Sequence, residues 1–248
     1  MKNCRRQVPQ IQLLKVRCGL ISYEEFLAEL KASQDLSYRE FHKKLLKNDK
    51  INVLGVRTPI MKKIAKKYRN SVDELLSFPD EYYEVTFIKL SAVALLPYEK
   101  FIKYIDKCVP IIDNWATCDC FTPKCIDKHK DEFLPYIYKY SANDGEFYQR
   151  FALTALLHYY VEEKYFQTIL DILQDDDINY ELYYVHMAAA WLIAEMLVKL
   201  YDDTVEFLKS NLEGKFLDGK THNKAIQKAC ESYRISQEQK TYLKGLKI

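Results

Sequence analysis

Glycine and proline are scarce in this chain, with 6 and 7 in 248 residues. A sandwich or barrel of many short strands needs turn residues every ~8–12 positions, roughly three times as many, so such folds are excluded. No apolar run approaches the ~20 residues of a membrane-spanning helix. The leading residues carry only a short apolar run, Ile11 to Leu14, with no small-residue cleavage site, which does not suit a secretory signal. A cytoplasmic chain with no membrane partner and a loosely ordered segment 1–20 is therefore expected. Disulfides are equally unexpected. The seven cysteines, at positions 4, 18, 108, 118, 120, 125 and 230, are odd in number and irregularly spaced, which suits reduced thiols. A zinc site is disfavoured, because no Cys-x2–4-Cys pair among Cys118, Cys120 and Cys125 is accompanied by a second. Cys118, Cys120 and Cys125 read instead as small buried hydrophobes. His42, His158, His186 and His222 sit singly and suggest neither a triad nor a metal, so no cofactor is expected.

Charge of either sign is not in excess, since the formal net charge is +2, but it is unevenly distributed. Residues 39–69 hold 11 Lys/Arg against 2 Asp/Glu, and residues 220–248 hold 7 against 2, while residues 70–219 hold 13 against 27. If the two basic ends reach one side of the fold they form a polyanion-binding rim, with the acidic middle as its back. The plainer reading is two solvated helix faces.

What is present almost everywhere after Ser22 is apolar spacing of helical period. Tyr23, Phe26, Leu27 and Leu30 form the first stripe, with Ser22 as N-cap and Glu25 as its capping-box partner. A second helix is expected from Tyr38 to Lys47. Gly55-Val56-Arg57-Thr58-Pro59 marks a boundary at which Thr58 caps a helix and Pro59 takes its first position. That helix, Ile60 to Arg69, is predicted to point Ile60, Ile64 and Tyr68 inward and Lys62, Lys63, Lys66, Lys67 and Arg69 outward. Further periodic segments span 81–95, 98–108, 114–124, 130–140, 146–160, 165–173, 180–201, 204–212, 221–233 and 236–246. The pattern predicts an all-α fold, an α-solenoid of HEAT-like antiparallel helix pairs with a concave cleft, over a single domain 21–248.

The segment from Ile112 to Phe121 holds Trp115 and Asp119 four residues apart, hence on one helix face. Arg150 and Trp191 interrupt otherwise apolar helices further on. At these residues the sequence resembles the AlkD-like DNA alkylation-repair glycosylases, a HEAT-like helical family that removes alkylated purines. Five stretches match in order: Val53 to Pro59, Trp115 to Asp119, Gln149-Arg150, Ala189-Ala190-Trp191, and Asn223 to Lys228 with Ser232-Tyr233. The resemblance covers roughly residues 38 to 235.

The resemblance implies a monofunctional DNA glycosylase of base excision repair. It would hydrolyse the N-glycosidic bond of cationic N3- or N7-alkylated purines in double-stranded DNA, as a monomer, associated with the nucleoid when acting on DNA. Asp119 matches the family's catalytic carboxylate, which would stabilise an oxocarbenium-like sugar and orient water. Trp115 and Trp191 match the cleft tryptophans, whose faces would attract the cationic base by about 0.5–2 kcal/mol each. Arg150 matches the cleft arginine that holds a phosphate. Arg57, Thr58, Lys62, Lys63, Lys66, Lys224 and Lys228 are the expected DNA-backbone contacts, the first two because a helix N-terminus binds phosphate. The chain departs from the family in two places. Tyr38 lies out of register with the N-terminal cleft tyrosine, and Ala194 or Glu195 stands where a basic residue is expected. Lyase chemistry is disfavoured because no lysine occupies a matched cleft position.

Ordinary readings compete at each residue. Either tryptophan could be core, Asp119 could be a cap or ion-pair partner, and Arg150 could pair structurally with Asp119 or Asp113. The alternative function is a catalytically silent HEAT-like module that binds nucleic acid or protein.

Overall fold

The computed structural model describes residues 21–46, 48 and 50–248. The expected loose segment 1–20, and Lys47 at the expected end of the second helix, lie outside them. Among the described residues the regular structure is entirely helical, with no strand. The chain divides between Leu96 and Pro97 into two compact units.

The first unit contains α1 (Tyr23–Ala32), α2 (Leu36–Leu46), α3 (Thr58–Tyr68), α4 (Val72–Ser77) and α5 (Tyr83–Val93). At the start of α1 the expected capping box is present: the Ser22 side chain accepts from Glu25 N–H and the Glu25 carboxylate accepts from Ser22 N–H. Phe26 and Leu30 are fully buried on its inner stripe, each adding about 1.5–3 kcal/mol of apolar burial. The short α4 has no counterpart among the sequence expectations, because six residues are too few to display a helical period.

Both α3 and α4 pack on α5, which is buried on nearly every face and carries a buried carboxylate, Glu84. Its two oxygens accept N–H bonds from Leu54, Gly55 and Val56 at 3.0, 2.7 and 3.2 Å. The segment before α3 is thus tied to the helix beneath it. Gly55 has φ +94°, and a Cβ there would stand 2.5 Å from the Asp35 carbonyl oxygen, so only glycine fits.

The start of α3 corrects the sequence expectation. Arg57, not Thr58, is the N-cap residue, with extended backbone and no side-chain cap bond. Its carbonyl already accepts from Ile60 and Met61 at 2.9 and 3.2 Å, so Thr58 opens the helix and Pro59 falls one place further in. Met61 and Ile64 consequently point inward, while Ile60 is exposed.

The second unit contains α6 (Tyr98–Phe101), α7 (Ile105–Cys108), α8 (Trp115–Cys120), α9 (Lys130–Ser141), α10 (Glu146–Tyr159), α11 (Phe166–Leu173), α12 (Tyr183–Lys199), α13 (Tyr201–Ser210), α14 (Gly219–Glu231) and α15 (Gln237–Lys244). The expected helix over 98–108 is split between α6 and α7. Lys103 and Tyr104 donate three residues back rather than four, while Phe101, Ile105 and Cys108 stay buried along one stripe. The helix expected over 114–124 stops at Cys120, because Thr122 precedes Pro123 and is pushed out of helical geometry.

Within this unit helices pack in succession, α9 on α10, α10 on α12, α12 on α14 and α14 on α15. Such stacking of helix pairs is what the all-α, HEAT-like reading of the sequence expected of a solenoid. Buried polar groups pin the layers. Gln149 donates to the Asp177 carbonyl at 2.6 Å and accepts from Asn179 N–H at 3.0 Å, which fixes the turn that leads into α12.

Candidate active site

The short α8 is built from its cap. Asn114, almost fully buried, accepts from Thr117 N–H at 2.9 Å and donates to Asp113 at 2.7 Å. Ala116 and Cys118 turn into the core, which leaves Trp115 and Asp119 half-exposed on the remaining face, one turn apart.

The Asp119 carboxylate meets Arg150 of α10 in a two-point fork. Arg150 Nε donates to Oδ1 at 2.9 Å and Nη2 donates to Oδ2 at 2.8 Å. The third arm, Nη1, donates to the Tyr184 carbonyl at the start of α12 at 2.8 Å. Three of the five guanidinium hydrogens are used, and two remain for another acceptor. Glu146 accepts from Tyr184 N–H at 2.8 Å, so α10 holds the first turn of α12 by both a donor and an acceptor. The ion pair joins three helices and leaves the carboxylate partly open, its side chain 18% exposed against 7% for Arg150.

Trp191, half-exposed on α12, packs edge-to-face with His158 of α10 at 6.0 Å between ring centroids. Arg150, Thr154 and His158 follow one another at four-residue steps along α10, and Thr154 lies 4.0 Å from Cys118 beneath α8. His158 is open to water yet recessed. The protein around it holds its pKa below the ordinary histidine value, with Lys199 acting in the same direction and Asp119 and Glu195 opposing. No role for His158 was expected from the sequence. Its signal was the eight-residue step from Arg150 along one helix face.

Trp191 also lines a cavity of about 280 Å³ between α12 and the end of α14, together with Ala194, Glu195, Val198, Lys228 and Arg234. Glu195 is held by Arg234 through two bonds of 2.9 and 2.6 Å. The acidic residue at this departure from the family pattern therefore carries its own cation. Lys228 is half-buried, and its pKa is depressed, first by that burial and then by Lys224, with Arg150 adding to the effect; Glu231 and Asp119 pull the other way.

The remaining expected DNA contacts divide by their partners. Arg57 is engaged with Asp35 at 3.0 and 2.7 Å and lies over the Tyr38 ring. Thr58 is half-buried in the first turn of α3. Lys62, Lys63 and Lys66 are exposed along α3 without a hydrogen bond or ion pair among the described residues, whereas their neighbour Lys67 is tied to Glu29 at 2.8 Å. Among the described residues Lys224 reaches only Gln227, at 3.2 Å.

Burial pushes the Cys118 thiol up to about 12 and the Cys125 thiol to about 11, so both carry their proton at neutral pH. Among the described residues no group of three or more His, Cys, Asp or Glu side chains could hold a metal ion, and no helix is long and apolar enough to cross a membrane.

Residues 25–231 match the family model described as DNA alkylation repair enzyme. No curated protein matches the chain.

Proposed function

The chain belongs to the family of DNA alkylation repair enzymes, and from that premise we propose that it is a monofunctional glycosylase acting on cationic N3- or N7-alkylated purines in double-stranded DNA. The observation that carries the reading is a partly open carboxylate, Asp119, fixed by a buried arginine fork on the face that also bears Trp115. An alkylated purine is already a cation. When its bond to C1′ breaks, the electron pair stays with the base and neutralises it, so no general acid is needed. Positive charge then develops on the sugar.

Asp119 supplies the compensating charge. Each of its oxygens spends one lone pair on Arg150 and keeps another, which suffices to orient a water toward C1′ and to receive its proton. Arg150 holds the carboxylate in place and has two hydrogens left for a backbone phosphate. The faces of Trp115 and Trp191 favour the cationic base over its neutral parent. Arg57, Thr58, Lys62, Lys63, Lys66 and Lys224 are the backbone contacts in this reading, and Arg57 must exchange Asp35 for a phosphate to take part.

A silent DNA-binding module could keep the same ion pair as a structural tie, so the test is catalytic. Methylated duplex is incubated with the protein and released bases are separated. Release of 7-methylguanine or 3-methyladenine, lost in Asp119→Asn with DNA binding retained, supports the reading. Salt-sensitive binding without release under any condition sinks it and leaves the module.

A further inference from the structure

The sequence places no lysine in the cleft, but the structure brings one alongside it. Lys228 shares the 280 Å³ cavity with Trp191, and its ammonium makes no hydrogen bond or ion pair among the described residues. The basic groups near Lys228 are Lys224 of α14 and Arg150 of α10, and the acidic ones are Glu231 of α14 and Asp119 of α8. Across the cavity, Glu195 of α12 is already neutralised by Arg234. His186 of α12 also lies within the field of Lys228.

A half-buried amine with cations beside it is the arrangement that makes a lysine nucleophilic. Both desolvation and like charge favour the neutral amine, and here both lower the Lys228 pKa. As a simple phosphate anchor Lys228 is poorly placed, because those same two influences weaken its charge. Lys224, whose only bond among the described residues is to the neutral Gln227, is better suited to that task.

We propose that Lys228 forms a Schiff base with the ring-opened aldehyde of an abasic site, the product left in the cleft after base loss. The Nζ lone pair attacks C1′, the aldehyde oxygen takes up a proton, and the resulting carbinolamine loses water. Counted from the ammonium and the aldehyde, the products are one iminium and one water, with charge and hydrogen conserved. The step needs no metal or oxidant, and water reverses it. Its consequence is a product held covalently. The inference rests on the proposed glycosylase activity only for the natural supply of abasic sites.

The test supplies the abasic site beforehand, so it does not depend on base release. Duplex DNA in which a single uracil has been excised is mixed with the full chain and sodium cyanoborohydride, which reduces an imine to a stable amine. The expected result is a one-to-one protein–DNA adduct whose modified peptide contains Lys228 and whose yield rises with pH through the range in which the amine loses its proton. Lys228→Arg keeps the charge but cannot form the imine, and is expected to lower the yield at least tenfold while retaining DNA binding. Lys164→Arg, at a lysine already paired with Asp131 at 2.7 Å, should leave the yield within about twofold. No adduct with the unaltered chain, an adduct undiminished in Lys228→Arg, or attachment elsewhere overturns the proposal. Trapping without base release from methylated DNA would support it and count against the glycosylase reading alone.

Discussion

Replacing Asp119 with Asn tests the proposed site most directly, because it changes charge at nearly constant volume. The carboxylate accepts two bonds from Arg150. Asn can accept one of them, while its NH2 group faces the other N–H. Losing a hydrogen bond to a charged group costs about 1.5–3 kcal/mol, and breaking a buried ion pair by removing one partner costs about 3–5 kcal/mol. The Asp119 side chain is 18% exposed and Arg150 keeps its bond to the Tyr184 carbonyl, so a loss near the lower end, about 2–3 kcal/mol, is expected. For a chain of this size that lowers the melting temperature by roughly 4–12 °C. The catalytic effect should be larger, about 10²- to 10³-fold in the single-turnover rate of 7-methylguanine release, the range seen when one preorganised electrostatic group is removed. Filter binding to the same duplex should change little, since no phosphate ligand is lost. Release within threefold of the unaltered chain would refute the assignment of Asp119, and an unchanged melting temperature would refute the energetic account of the pair.

Trp191→Ala should reduce release of cationic bases by roughly 2- to 30-fold, the kinetic equivalent of about 0.5–2 kcal/mol of cation–π attraction, and Trp191→Phe by less; equal rates for all three chains in the same assay would remove the indole from the site. In the first unit, Glu84→Ala leaves three buried N–H groups without an acceptor, and urea unfolding should show a loss of at least about 3 kcal/mol. Stability should also fall in acid because of His222, which is fully buried with its pKa lowered by that burial. Its Nε2–H donates to the Leu246 carbonyl at 2.8 Å and its Nδ1 accepts from the Asn211 amide at 3.2 Å, an arrangement that admits only the neutral ring. A folded pKa below the unfolded value of about 6.5 means that this contribution is complete above pH 6.5 and is lost as pH falls toward the folded pKa. Urea midpoints measured from pH 7.5 to 5 should decline in the unaltered chain and decline less in His222→Gln.

Much of the architecture was legible because helices announce themselves locally. Apolar residues at helical spacing located 14 of the 15 helices among the described residues, at least in part, and Ser22 with Glu25 marked the first start correctly. Where boundaries moved, a contact distant in sequence moved them or the local signal was ambiguous. The Thr58-Pro59 pair looked like a cap followed by a first turn, and nothing local revealed that the Arg57 carbonyl would take up the first helical bonds. The long pattern over 98–108 kept its buried stripe while its hydrogen bonds shifted, which side-chain period alone does not register.

At the candidate site, residue types and spacing singled out Trp115, Asp119, Arg150 and Trp191, since a carboxylate or guanidinium in an apolar helix face demands a reason. Partners were a different matter. Arg150 had two candidate carboxylates in the sequence, and only the packing of α8 against α10 selected Asp119. The Tyr184 carbonyl could not be read from the sequence, because a backbone oxygen carries no residue signature. His158 looked like an isolated histidine and Lys228 like one of the DNA-backbone contacts until α12 packed on α10 and α14 on α12 and gave them neighbours. The sequence by itself determined which segments form helices and which chemical groups they carry, because both depend on residues a few positions apart. Tertiary structure alone decided which groups meet and which amine sits recessed among cations, because those depend on distances between chain segments that only packing sets.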